Sequence, residues 1–337
     1  MHEHHLVGEY RELGRSYGGQ LAERGRSLDT ASPETLDPPP ERLEFARECA
    51  RHVEDHAPYL LDEIGGIAEE IGIDPELVGV VPLALDAKSG CSLVAVRDEY
   101  TDDTVFLGRN HDFFPSFRRY ATLYRTEPAD GLASVGCSCV YVGRSDGIND
   151  AGLAIGFAGV PPHEFEPGFT WQLAVRAVLD TCRSVEEAVE FLESIPHATN
   201  VNFLVADESG DLAVVGVSPE RVTTTRPSEG LITVTRQFYA ESMREYQSRD
   251  PSIEEFCDRT RAVEEWIAGR KRPITMEDLQ TAMGDPKIGA CWPVDADGND
   301  PRSTIWSWTM DPANRVGYLA AGSPVETPYE PVEVTRQ

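Results

Sequence analysis

Apolar side chains recur every three or four positions through residues 41–72, ERLEFARECARHVEDHAPYLLDEIGGIAEEIG. That is the period of helices packed along one face. Pro58 starts or kinks the second of them, and Asp74-Pro75 opens a further short helix reaching about Ala84. Residues 1–30 read as partly helical, and ASPETLDPPP, 31–40, as an exposed proline-rich break. At Cys91 the texture changes. CSLVAVRD, TVFLGRN, YATLYRT, SVGCSCVYVG and GLAIGFAG read as strands, with turns at Asp102-Asp103 and Asp130-Gly131. Trp171–Thr181 and Ser184–Ser194 have helical spacing, and Ser184 with Glu187 forms a capping box. Strands resume at VNFLVAD, LAVVGV, RVTTT and LITVT. Residues 251–270 and 275–283 are again helical, and STIWSWTM and RVGYLAA close the series.

Strands thus come in meanders and helices in pairs. That favours α+β layering, two sheets stacked between helix layers, over a doubly wound parallel sheet. No repeat of 20–50 residues is visible. The chain has 337 residues, 40% of them hydrophobic, enough for a sizeable core. No apolar run is long enough for a membrane helix, and MHEHHLVGEYRELG lacks the basic and apolar regions of a signal peptide. The expected location is the cytoplasm.

Charge changes the picture. There are 58 acidic and 30 basic residues, a formal net charge of −28, and only Lys88, Lys271 and Lys287 are lysines. Such a chain is not expected to bind nucleic acid or an anionic membrane through bulk charge. A folded, acidic, lysine-poor protein suits a salt-rich cytoplasm such as that of a halophilic archaeon, where a Debye length of about 3 Å at molar salt screens self-repulsion. The seven cysteines are scattered, without a CxxC. They form neither a disulfide framework nor a zinc ribbon, and reduced thiols fit the cytoplasm.

Three segments carry candidate chemistry. Ser89-Gly90-Cys91-Ser92 sits where helix gives way to strand, and a glycine there permits unusual backbone and close approach to the preceding carbonyl. On local sequence alone the plainer reading is a turn before a buried structural cysteine. Gly108-Arg109-Asn110-His111-Asp112-Phe113-Phe114 packs a guanidinium, an amide, an imidazole and a carboxylate together. Alternation puts Asn110 and Asp112 on one strand face, Arg109 and His111 on the other. It reads equally as a salt-bridged strand end, and His111 alone reads as structural rather than catalytic. Asp146-Gly147-Ile148-Asn149-Asp150-Ala151-Gly152-Leu153-Ala154 reads as a turn between strands. Elsewhere, Cys137 and Cys139 read as core thiols rather than a metal pair, and His2, His4 and His5 as a flexible end. Trp292, Trp306 and Trp308 line a pocket or pack the core.

In order and spacing these segments resemble the acyl-coenzyme A:6-aminopenicillanic acid acyltransferase family, the C45 peptidase-like branch of the N-terminal nucleophile hydrolases. The resemblance begins at Gly8-Glu9-Tyr10-Arg11-Glu12-Leu13-Gly14 with Tyr17-Gly18 and runs through Pro58–Ala68. It takes in Gly90-Cys91-Ser92, GRNHDFF and DGINDAGLA, and reaches Asn202–Gly210. The chain is also similar to bile-salt hydrolases and penicillin V acylases at the cysteine and the GRNxD segment.

The resemblance implies a four-layer αββα fold. It also implies a precursor cut by its own cysteine between Gly90 and Cys91, into a helical 1–90 segment and a catalytic 91–337 segment of one large domain. Cys91 would then be N-terminal and nucleophilic, with its freed α-amine as general base. Asp112 matches the family's aspartate, which positions the amine and thiol, and Arg109 matches the arginine that stabilises thiolate. Gly159 lies where relatives offer an oxyanion-hole N–H, and Asn149 is a candidate substrate contact or shapes the turn beneath it. One departure stands out: Thr235-Arg236-Gln237-Phe238 occurs where the family reads Thr-Asn-His-Phe. Arg236 or Gln237 then replaces the asparagine donor, and a charged arginine could serve. Arg259 or Arg261 matches a family active-site arginine.

The expected activity is attack on a small acyl amide or acyl thioester, with transfer to water or an amine and no metal or organic cofactor. The expected protein partner is the chain's own other fragment. Two rival readings are a catalytically silent binding protein of this fold and a conventional thiol protease, which would need His111 as partner.

Overall fold

The computed structural model describes residues 1–23, 37–84, 90–102, 104–292 and 302–334. Ser89, Asp103 and most of the proline-rich break lie outside these residues. The N-terminus contains a strand where partial helix was expected: β1 spans His2–Gly8 and pairs in parallel with β4, Thr122–Pro128. His4 is buried with its Nδ1 2.6 Å from Gln20 Oε1, and His5 lies 2.7 Å from Glu127. The histidines are therefore strand residues rather than a loose end. The pairing partner lies more than a hundred residues away, beyond any local window.

α1 (Tyr10–Glu23), α2 (Pro40–His56), α3 (Pro58–Ile71) and α4 (Pro75–Ala84) follow. Prolines at the first turn of α2 and α3 remove donors that would be unpaired there anyway. Gly72, with φ +69°, ends α3 in the left-handed region. α1 crosses α3 at near-backbone contact. A Cβ on Gly14 or Gly66 would lie 2.0 or 2.1 Å from a carbonyl oxygen of the other helix.

One antiparallel sheet of six strands has the order β11-β2-β3-β12-β13-β14. Its members are β2 (Gly90–Val96), β3 (Phe106–Phe113), β11 (Leu231–Val234), β12 (Ser303–Asp311), β13 (Val316–Ala320) and β14 (Glu330–Glu333). The other sheet orders β1-β4-β5-β6-β7-β8-β9-β10, a meander apart from the parallel β1 edge. Its strands β5 (Ser134–Ser138), β6 (Asp146–Asn149), β7 (Ala154–Gly159), β8 (Val201–Ala206), β9 (Leu212–Val217) and β10 (Val222–Thr225) include β6, which the sequence presented only as part of a turn.

α5 (Trp171–Thr181), α6 (Val185–Ser194) and α1 cover the eight-stranded sheet, with α2–α4 packed outside them. α7 (Ser252–Ala268) and α8 (Met276–Gly284) cover the six-stranded sheet. Ser184 caps α6 at Glu187 N as expected, but the Glu187 carboxylate returns to Arg183 N at 2.6 Å rather than to the cap residue. The layers are αββα, the architecture the sequence resemblance implies.

Strand alternation divides β2 and β3 between two environments. Cys91, Leu93 and Ala95 join the core between the sheets, while Val94 and Val96 pack under α7 and α8. The sheets approach closely where β7 meets β2 and β3. A Cβ on Gly156 would lie 2.7 Å from Leu93 Cδ2 and 2.9 Å from Arg109 Cδ. Only glycine leaves room there for an arginine arriving from the opposite sheet.

Candidate active site

Cys91 stands at the start of β2, directly across from His111 on β3. Its thiol is wholly buried between the sheets and pushed up to about 11 by that burial. The Arg109 guanidinium and a backbone hydrogen bond from Asp112 act in the opposite direction. Arg109 Nη2 donates to Cys91 Sγ at 3.2 Å and to His111 Nδ1 at 2.9 Å. Nδ1 in turn lies 3.7 Å from Sγ. Cation, thiol and imidazole therefore form a closed triangle.

The far edge of the guanidinium is clamped. Nη1 donates to Asp146 Oδ2, Nε donates to the Phe157 carbonyl at 3.3 Å, and the Phe157 ring lies 4.8 Å from the guanidinium carbon. Asp146 also accepts from Trp306 Nε1 at 2.8 Å and from Cys137 N at 3.1 Å. Trp306 stacks flat on His111, ring centroids 3.9 Å apart. A buried ion pair with its remaining lone pairs satisfied holds one geometry rather than several. Since arginine only donates, His111 Nδ1 carries a lone pair and its proton sits on Nε2. Burial and the Arg109 charge hold His111 well below its ordinary value, so the imidazole is neutral.

Asp112 faces away from this triangle. It shares the α8 face of β3 with Asn110, whose amide donates to Met283 O at 2.9 Å. It pairs in register with Gly90, and its carboxylate accepts from Thr304 Oγ1 at 2.5 Å. Burial lifts it to about 6, against the Thr304 hydrogen bond and the charges of Arg259, Arg109 and Arg302. It thus sits beside the backbone at Gly90–Cys91 rather than beside the thiol.

A sequence model of the acyl-coenzyme A:6-aminopenicillanic acid acyl-transferase family matches residues 100–326. The chain belongs to that family. The matched span opens after Cys91 and includes Arg109, His111, Asp112, Asp146 and Trp306. No curated protein matches the chain in sequence. Among solved structures, the chain is similar to a point mutant of conjugated bile acid hydrolase from Clostridium perfringens, at 14% identity and TM-score 0.46, over 72% of this chain and 92% of that one. It is similar to the Caenorhabditis elegans ortholog of N-acylethanolamine-hydrolyzing acid amidase, at 12% identity and TM-score 0.46, over 66% and 93%. The penicillin V acylase of Agrobacterium tumefaciens aligns at 18% identity and TM-score 0.42, over 73% and 87%.

The remaining residues singled out by the family resemblance separate into two groups. Arg236, just beyond β11, is 4% exposed, lies 3.1 Å from Asp250 and faces the Phe256 ring. Burial lowers it from its ordinary value, and the Cys91 charge is among those acting on it, so it lies within electrostatic reach of the thiol. Gln237 points elsewhere, its Oε1 toward Cys257 Sγ. Gly159 ends β7 opposite Val201. On α7, Arg259 faces inward over the Trp292 ring at 4.2 Å and donates to Gly289 O at 3.1 Å.

Two candidates fall outside the site. Asn149 is fully used by the turn: Nδ2 donates to the carbonyls of Leu179 and Cys182, and Oδ1 accepts from Ala151 N and Leu153 N. It has no group left for a substrate. Arg261 is on the outer face of α7, paired with Asp258 in solvent.

His111, in the sequence chiefly the partner a thiol protease would need, joins the triangle, and Asp146, Trp306 and Thr304 hold Arg109, His111 and Asp112 in ways no local motif marked. Alternation had already placed His111 on Arg109's face. The lost information was that Cys91, on the neighbouring strand, points to that same face.

Proposed function

We propose that this chain is a cysteine amidohydrolase or acyltransferase that matures by cutting itself between Gly90 and Cys91. The observation that carries the reading is the buried Cys91 thiol with a clamped arginine 3.2 Å from its sulfur. A thiolate is the nucleophile in such chemistry. The carboxylate and indole holding Arg109 fix a cation where thiolate charge would form. In the mature chain the freed α-amine takes the thiol proton, Asp112 holds that amine, and Cys91 Sγ attacks the carbonyl of a small acyl amide or acyl thioester. The acyl-thioester then passes its acyl group to water or an amine. Arg236 and the Gly159 N–H are the candidate donors to the oxyanion. Family membership supports acyl transfer as the reaction class.

The two segments would stay together after cleavage. β1 completes one sheet, and buried Glu63 of the first segment pairs with Arg176 of the second at 3.0 Å. The test is intact mass and N-terminal sequencing of purified protein. Two fragments are expected, the larger beginning Cys-Ser-Leu-Val, and Cys91→Ala should give one uncut, inactive chain. An active Cys91→Ala protein overturns the proposal. The 3.7 Å contact between Cys91 and His111 favours one second reading, a cysteine–histidine hydrolase working in the uncut chain. Turnover by a homogeneous full-length chain would select it.

A further inference from the structure

The self-cleavage just proposed has a requirement that later turnover does not share. Before the cut, the Cys91 nitrogen is a peptide amide and cannot serve as a base, so another group must accept the thiol proton. Asp112 is on the opposite face of β3, bonded to Thr304. Arg109 Nη2, 3.2 Å from Sγ, can only donate. Among the described side chains that contact Sγ, the one with an acceptor is His111. Its Nδ1 lone pair accepts from Arg109 Nη2 at 2.9 Å and lies 3.7 Å from Sγ, so Nη2 must release it when Nδ1 takes a proton, and the ring is fixed face to face on Trp306.

We infer that His111 is the general base of maturation: it relays a proton within the precursor, a role the α-amine takes over once the Gly90–Cys91 bond is cut. This rests on the self-cleaving reading. In the step, the Sγ–H proton passes to His111 Nδ1 and the sulfur forms a bond to the Gly90 carbonyl carbon. Nδ1–H then returns the proton to the Cys91 nitrogen as the C–N bond breaks. The product is a Gly90 thioester on Sγ with a free Cys91 amine, and water hydrolyses it to the Gly90 carboxylate and the free thiol. Arg109, held by Asp146, stabilises the sulfur charge between these transfers. Burial and the Arg109 charge disfavour the protonated ring, so a proton taken by Nδ1 is held only briefly and passes on to the leaving nitrogen.

The test follows full-length chains made by cell-free translation, with the fraction cut at 90/91 read by intact mass over time. His111→Phe keeps a flat ring against Trp306 but has no lone pair. Cleavage should slow by at least about a hundredfold, the lower end of general acid–base catalysis. Turnover per cut chain should fall by much less, because the α-amine is the base there. Thermal melting of the uncut variant, near that of uncut Cys91→Ala, confirms that the precursor folds. Wild-type cleavage rates in His111→Phe would overturn the inference while leaving self-cleavage intact. Equal losses of cleavage and turnover would also overturn it, reducing His111 to a prop for the thiol. A wild-type chain that is never cut would instead remove the self-cleaving reading itself.

Discussion

Arg176 and Arg109 are both wholly buried against carboxylates, and they do different things. Arg176 on α5 is saturated by acid: Nε reaches both Asp180 oxygens at 2.7–2.8 Å, Nη2 lies 3.0 Å from Glu63, and Nη1 donates to Val142 O. Tyr10 adds a hydrogen bond to Asp180. Burial opposes the Arg176 charge, and Asp180 and Glu63 more than reverse that. Arg109 has one carboxylate on one edge and presents the other edge to a thiol and an imidazole lone pair. A guanidinium enclosed by acids joins segments of the chain. One left partly committed can stabilise charge that forms later, because its orientation is already fixed and little rearrangement accompanies the reaction.

Removing each cation in turn should separate their roles most sharply. Arg176→Met leaves two buried carboxylates without their partner, and urea unfolding should show a loss of about 3–5 kcal/mol. Folded molecules should retain their turnover. Arg109→Gln should leave about ten- to a thousandfold less thiolate at a given pH, and turnover per folded molecule should fall accordingly. Similar activity losses per folded molecule in both variants would erase the distinction. Gly156→Ala probes the space Arg109 occupies. Its methyl meets Leu93 and the Arg109 side chain inside contact distance, so a stability cost of about 1–3 kcal/mol is expected. Reduced turnover should accompany it, and an unaffected variant would show that the sheets can spread there.

A smaller effect sharpens the acid side. Thr304 donates to ionised Asp112, so Thr304→Val should raise that carboxyl further above about 6. Activity that needs ionised Asp112 is lost as pH falls, and its acid limb should move toward neutral pH. The stability linkage has the opposite sign. Because the folded value is raised, the contribution of this group is fully present below its unfolded range near about 4. It is lost as pH rises through about 6. An unmoved acid limb would detach Asp112 from the rate. The least effect belongs to Arg261→Ala, which loses a solvent-exposed pair within α7. Melting and turnover should stay close to wild type, whereas Arg259→Ala should lower turnover.

Local pattern went far in this chain. Periodicity marked Pro58, Trp171–Thr181 and the helix-to-strand change near Cys91, because each depends on neighbours within a turn or a strand. Two-residue alternation also separated Arg109 and His111 from Asn110 and Asp112, since a strand cannot do otherwise. The sequence resemblance drew Cys91, Arg109 and Asp112 into one proposed site.

Long-range pairing decided the rest. His2–Gly8 is a strand only because β4 lies alongside it, and Asp146 became the arginine's counter-ion only because the two sheets stack. Asn149 and Arg261 have side chains as suitable as those at the site, yet one is consumed by a turn and the other faces water. The sequence by itself determined which residues could carry this chemistry and which face of a strand each would occupy. Only the tertiary structure decided which faces meet, because sheet stacking joins residues whose separation along the chain leaves no periodic trace.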